Sequence, residues 1–217
     1  MKGLLTLFTF LPSLLCGYKS VAQRASSRLS VVVSPAVFVP VSIAVQAGIQ
    51  YKFSRQLSVL AEAAFPTFVP GNTEYEKIEY FRTGIEFKYF LKSDSSLTKY
   101  VSLQNNYLYR ELVDEQQAFY YTKTQTFSYS NAVINSPVFS SALKLGVELN
   151  TGKRFFFDAF VGAGLRFIFT EYKAKNVLVT STEPPEQNLF TFDDAWKYNY
   201  TLMRLHGTAG LRFGLRL

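Results

Sequence analysis

The chain has 217 residues and a formal charge of +7, a length that one domain of short strands can use up without a second. Aromatic residues make up 17% of it, with 21 Phe and 14 Tyr, while charged residues, at 18%, fall below the roughly 25% of average soluble domains. This composition excludes a helical bundle and favours strand. The basic residues recur singly inside alternating stretches instead of gathering on one face, which excludes nucleic acid as a partner.

At the start, Lys2 precedes an apolar run over residues 4–15, and a polar stretch then ends at Ser20, Val21 and Ala22. The pattern predicts a cleaved signal peptide over 1–22 and a mature domain over 23–217. Cleavage would remove Lys2 and Lys19, lowering the charge by two to +5, together with Cys16, the one cysteine. Acylation of Cys16 is the competing expectation, and Leu15 stands before it where a small residue is usual. A mature chain without cysteine needs no disulfide in an oxidising compartment.

A first strand is expected over 31–39, with Pro35 as a local irregularity. From 43 to 53 the alternation is unbroken, with Ile43, Val45, Ala47, Ile49, Tyr51 and Phe53 on one face and Gln46, Gly48, Gln50 and Lys52 on the other. After a turn at 54–56 the same parity returns in Leu57, Val59, Ala61, Ala63 and Phe65 against Ser58, Glu62 and Ala64. Phe81, Ile85, Phe87 and Tyr89 then oppose Arg82, Gly84, Glu86 and Lys88. Val101, Leu103, Tyr107 and Tyr109 form a fifth strand whose apolar face Asn105 interrupts. Leu143, Leu145, Val147 and Leu149 alternate with Lys144, Gly146 and Glu148, and a longer strand covers 155–170 with Asp158 and Arg166 on its polar side. The last runs from Thr201 to the end, with Arg204, His206, Thr208, Arg212 and Arg216 facing away from Met203, Leu205, Leu211 and Phe213.

Connections fall into a tight class, at 54–56, 92–99 and 150–154, and a longer class, at 66–79, 111–137 and 171–200, with a short one at 39–42. The polar face is rich in Gly and other small residues, which suits the narrow interior of an eight-stranded barrel. The apolar face is bulky and would overfill that interior, so it is assigned to lipid. Aromatics mark both ends of the apolar strips, as membrane girdles do. The expected fold is all-β, an eight-stranded antiparallel up-and-down transmembrane β-barrel.

The signal peptide, eight alternating strands, short inner and long outer connections, the 143–169 hairpin with Gly146, Gly162 and Gly164, and the 207–217 ending resemble the small bacterial outer-membrane barrels of the OmpA and OmpX type. That resemblance implies an outer-membrane location and a role as an envelope structural protein, an adhesion or evasion surface, or a subunit of a larger complex. Such barrels commonly end on an aromatic residue, and this chain ends on Leu217.

Parity gathers Lys52, Glu62, Arg82, Glu86, Lys88, Lys144, Glu148, Asp158, Arg166, Arg204, His206, Arg212 and Arg216 in the interior, where a closed network of opposite charges is expected. His206, the one histidine, is the candidate base of a lipid-modifying enzyme, but no serine and carboxylate accompany it in a visible triad, and an imidazole filler is the expectation. No enzyme, cofactor or metal site is expected. Both long outer connections read as hairpins, the second turning at Glu183-Pro184-Pro185-Glu186; function is assigned to them through Phe119, Tyr120, Tyr121, Phe127, Tyr129, Phe190, Phe192 and Trp196, and rigid strand extension with ordinary surface aromatics is the competing expectation. The expected partners are outer-membrane lipid and another envelope protein, a glycan or a host molecule. A soluble periplasmic carrier of an apolar ligand is the remaining alternative.

Overall fold

The computed structural model describes residues 28–39, 42–68, 77–91, 97–151, 154–182 and 197–217. The signal peptide with Cys16, and the contact candidates Phe190, Phe192 and Trp196 with the Glu183–Glu186 turn, lie outside these residues. Among the described residues the protein is all-β, with thirteen strands and no helix beyond a single turn. They are β1 (Leu29–Val39), β2 (Ser42–Lys52), β3 (Leu57–Phe68), β4 (Lys77–Phe90), β5 (Leu97–Asp114), β6 (Ala118–Tyr121), β7 (Thr126–Tyr129), β8 (Asn131–Asn135), β9 (Val138–Asn150), β10 (Phe155–Phe169), β11 (Glu171–Lys175), β12 (Leu178–Ser181) and β13 (Thr201–Arg216).

Eight of these close into a ring of antiparallel neighbours, β1-β2-β3-β4-β5-β9-β10-β13 and back to β1. Alternation explains it: every ring strand has one face of inward and one of outward side chains, so a curled sheet can satisfy both. β10 and β13 are laddered from Phe155 against Leu215 to Phe169 against Thr201. The β1–β13 seam is short, joining Ser30–Val33 to Phe213–Arg216. The β1–β2 register shifts between Ser34 and Val37, at the irregularity that Pro35 leads one to expect. In the β2–β3 turn, Ser54 Oγ accepts from the backbone N–H groups of Gln56 (3.1 Å) and Leu57 (3.0 Å).

Large apolar side chains cover the outside of the ring. Leu143 is 69% exposed, Leu211 66%, Leu145 63% and Val161 60%. Asn105, which breaks the alternation of β5, faces out opposite Ser141 of β9, so the interruption is a polar cross-strand neighbour pair.

Inside, glycines and aromatics are matched across strands. Tyr100 lies against Gly146, Phe160 against Gly210 and Phe156 against Gly214, each pair in register. A Cβ at any of these glycines would run into the facing ring. Glycine is therefore used here for close approach, which lets a few rings fill a narrow interior.

Two strands are longer than their alternation suggests. β5 runs on to Asp114 and β9 begins at Val138, so part of the 111–137 connection is strand. Above the ring β5 pairs with β8, and β8 with β11, as a three-stranded extension. A second sheet, β12-β7-β6, packs against it. The second half of the hairpin expected within the last connection lies outside the described residues; its first half, β12, pairs with β7 of the other connection. The two long connections are thus one lobe. The chain passes between its sheets at Ser130 and at Asn176, where φ is 53°, a left-handed conformation that Asn tolerates. Asn176 Nδ2 donates to Ser130 Oγ at 3.0 Å, tying the two crossings together.

Candidate functional site

Two places concentrate chemistry: the charged interior of the ring and the aromatic lobe above it. In the interior, four carboxylates (Glu62, Glu86, Glu148 and Asp158) meet four cations (Lys52, Lys88, Lys144 and Arg212). Arg212 is the hub. Its Nη2 donates to Glu62 Oε2 at 2.7 Å and Glu86 Oε2 at 2.8 Å, and its Nη1 to Asp158 Oδ2 at 3.3 Å. Lys88 reaches Asp158 at 2.6 Å and Glu148 at 3.4 Å, Lys144 reaches Glu86 at 3.1 Å, and Lys52 reaches Glu148 at 3.2 Å.

Neutral donors complete the carboxylates. Tyr100 OH donates to Asp158 at 2.6 Å, Ser102 Oγ to Glu86 at 2.6 Å, Gln104 Nε2 to Glu62 at 3.2 Å and Gln50 Nε2 to Glu148 at 3.1 Å. Aromatic faces share in holding the cations, with Lys144 Nζ 3.8 Å and the Arg212 guanidinium 4.3 Å from the centre of the Phe160 ring. Buried ions survive only when matched in this manner, since each alone would carry a desolvation cost of several kcal/mol. Sequence reading missed the neutral partners. Their signal was present, because Gln50, Tyr100, Ser102 and Gln104 share the parity of the charges.

Among the described residues Arg82, Arg166, His206 and Arg216 make no ion pair with this network. Arg216, at the end of the ring with the short turns, donates to Asn150 Oδ1 and lies over Phe156. Arg166 and Arg204 face one another across β10 and β13, and His206 lies one step further along, opposite Gly164. Arg82 faces inward from β4 opposite Ala64. Among the described residues no carboxylate lies within ion-pair distance of His206. Outward of these groups the interior turns apolar, where Val138, Ile168 and Leu202 are buried together with Leu108, Tyr198 and Tyr200 against them.

In the lobe, Tyr120 and Tyr129 are buried with Leu112, Ala132 and Ile134, and Phe127 and Tyr172 pack on them. Tyr120 stacks on Tyr172 at 4.6 Å between ring centres and on Phe127 at 5.2 Å. Tyr129 OH donates to Asp114 Oδ2 at 2.7 Å. Burial raises the Tyr120 phenol above its ordinary pKa, which keeps it neutral. These two tyrosines, expected as contact anchors, instead hold the lobe's two sheets together. Tyr121 is half-buried against Tyr198 at 5.3 Å.

Phe119 does stand out, 46% exposed. In register, Phe119 and Leu178 flank Ser128 from either side, so they share one face of the β12-β7-β6 sheet. Leu178 is 69% exposed and Val179 56%. Sequence reading missed these two because their strand was assigned to a local hairpin. A cavity of about 110 Å³ lies beneath, lined by Asp114, Tyr129, Tyr172 and Lys197 among others.

Comparison with protein-family models, with curated proteins and with solved structures gave no match.

Proposed function

We propose that the protein is a bacterial outer-membrane β-barrel with a closed, charged lumen, acting as a structural or interaction protein through its outer lobe. The observation that carries this reading is the inversion of the ring. Ion pairs are buried inside, while large apolar side chains on every ring strand, Leu143, Leu145, Val161 and Leu211 foremost, stand exposed outside, the kind of surface that soluble monomers rarely carry. Lipid is the solvent in which such a surface costs nothing, and a closed strand ring leaves no edge to be satisfied there.

Exposed aromatics support two membrane levels. Phe53, Tyr89, Phe155, Phe157 and Phe213 occupy the end with the short turns, while Phe81, Tyr107, Phe139 and Phe169 lie toward the lobe. A soluble carrier of apolar ligands would need the opposite arrangement, with its greasy face around the ligand. For the lobe, the exposed row of Phe119 and Leu178 is the surface a partner would meet, whether another envelope protein, a glycan or a host molecule.

The test has two arms. Envelope fractionation with gel mobility compared before and after boiling should find a heat-modifiable outer-membrane protein; recovery from the soluble periplasm without a mobility change would refute the location. Removal of 116–129 with 176–196 should leave insertion and heat-modifiability intact while abolishing recovery of the partner by crosslinking from intact envelopes. Undiminished recovery from the trimmed protein would place binding elsewhere.

A further inference from the structure

The cavity of the lobe brings aromatic rings and two opposite charges together. Phe119, Tyr121, Tyr129 and Tyr172 are among its walls, and Asp114 and Lys197 line it with them. At about 110 Å³ it offers several times the room that a single water needs, which suits one small ring and excludes a partner's helix, about 10–12 Å across.

The walls are held before any ligand arrives. Tyr172 stacks on Tyr120 at 4.6 Å and meets Tyr129 at 5.8 Å between ring centres, and Tyr121 rests against Tyr198 at 5.3 Å. Phe119 stands two residues before Tyr121 on β6, on the same face, and is 46% exposed. Asp114 is only 6% exposed; its Oδ2 accepts from Tyr129 OH at 2.7 Å and its Oδ1 from the Gln116 backbone N–H at 3.0 Å. A carboxylate accepts about four hydrogen bonds, so beyond these two it can take donors from a molecule in the cavity. Groups fixed in this way bind with little further ordering cost.

Charge narrows the choice of ligand. Beside a carboxylate alone, aromatic faces favour an organic cation. Lys197 brings a cation to the same cavity, so a second one gains little there, and an anion is opposed by Asp114. A neutral hydroxylated ring suits every wall: its hydroxyls donate to the carboxylate and accept from the ammonium, while its C–H face lies on an aromatic ring. We propose that the cavity binds one neutral pyranose unit of a glycan, with Asp114 and Lys197 on its hydroxyls and Phe119 and Tyr121 against its face. This assignment rests on the reading of the lobe as the interacting part and names what that part takes.

The probes are the methyl pyranosides of glucose, galactose, mannose and N-acetylglucosamine. They are offered to the full chain folded in a polyoxyethylene detergent, which carries neither sugar nor charge. Saturation-transfer NMR, with the aromatic protons of the protein irradiated, reads contact at the sugar C–H protons, and titration gives the affinity. At least one glycoside should show saturable transfer, strongest on one face of its ring. Asp114→Asn should weaken it by about tenfold or more, the loss of a hydrogen bond to a charged acceptor. Phe119→Ala, which removes an exposed ring and leaves the buried tyrosines in place, should weaken it by about threefold or more, while Lys123→Gln in the exposed β6–β7 turn should not. Absence of saturable transfer to all four glycosides would overturn the proposal without recourse to any variant, and so would binding that Asp114→Asn and Phe119→Ala both leave intact. Transfer to Nα-acetyl-lysine methylamide with none to the glycosides would overturn it in favour of an ammonium carried by a protein partner. A partner still recovered from envelopes by crosslinking while no glycoside binds would overturn the sugar assignment and leave the reading of the lobe standing.

Discussion

Replacing Arg212 by Met removes the group on which three carboxylates converge, at 2.7, 2.8 and 3.3 Å. Methionine matches the length of the stem but supplies no charge, so the network of four carboxylates and four cations passes from balanced to one net negative charge. Lys144 still reaches Glu86 and Lys88 still reaches Asp158, whereas Glu62 keeps only the Gln104 amide. Breaking a buried ion pair by deleting one partner costs about 3–5 kcal/mol. Arg212→Lys keeps the charge and loses the fork, because one ammonium cannot span all three acceptors; its cost should be smaller, about 1.5–3 kcal/mol for a single charged hydrogen bond. The assay is reversible urea unfolding in detergent micelles followed by circular dichroism, with midpoints compared at a common slope. The order parent, Lys variant, Met variant is the expected outcome. If both variants lie within about 0.5 kcal/mol of the parent, the range of an ordinary surface substitution, the network does not stabilise the ring.

Gly214→Val places a branched side chain against the Phe156 ring and should destabilise by about 1–3 kcal/mol in the same assay, through overpacking. Val161→Arg, at a 60% exposed outward position, should cost about 2–4 kcal/mol in lipid vesicles, and much less if the outside of the ring faces water. Tyr129→Phe deletes the hydrogen bond to Asp114; amide exchange should quicken across 118–135 while the urea midpoint of the ring stays unchanged. Planar-bilayer recording of the intact protein should give no large stable conductance, since the ion network and the Val138, Ile168 and Leu202 layer lie in series; a steady open level would refute a closed lumen.

What the sequence makes legible is parity. Ile43 to Phe53 or Phe155 to Phe169 alternate so regularly that inward and outward sets follow from period two alone, and the strand ends in the ring fall within a few residues of the expectation. Pairing is a different matter. Arg212 meets Glu62 from a strand 150 residues away, and which inward charges share a level depends on the stagger between strands, which no local pattern records. The same limit applies to the lobe. Leu178–Ser181 reads as half of a hairpin because its own sequence neighbours supply a turn, and nothing local shows that it also pairs with β7. Tyr120 and Tyr129 read as surface residues of a hairpin, because the second sheet that covers them, built from the end of β5 with β8 and β11, comes from segments whose packing partners no local pattern records.

The short β1–β13 seam has a temporal meaning. Every other neighbouring pair in the ring joins strands that lie fairly near one another in the chain, so a ribbon can grow by adding hairpins and by bringing β9 back onto β5. The seam alone must bring together residues near 30 and near 215, and it does so over Ser30–Val33 and Phe213–Arg216 only. The largest loop-closure entropy is therefore matched with one of the smallest ladders, which makes this contact the last to form and the first to part. On this account a curled ribbon with β13 already held on the long β10–β13 ladder is the expected state before β1 closes the ring.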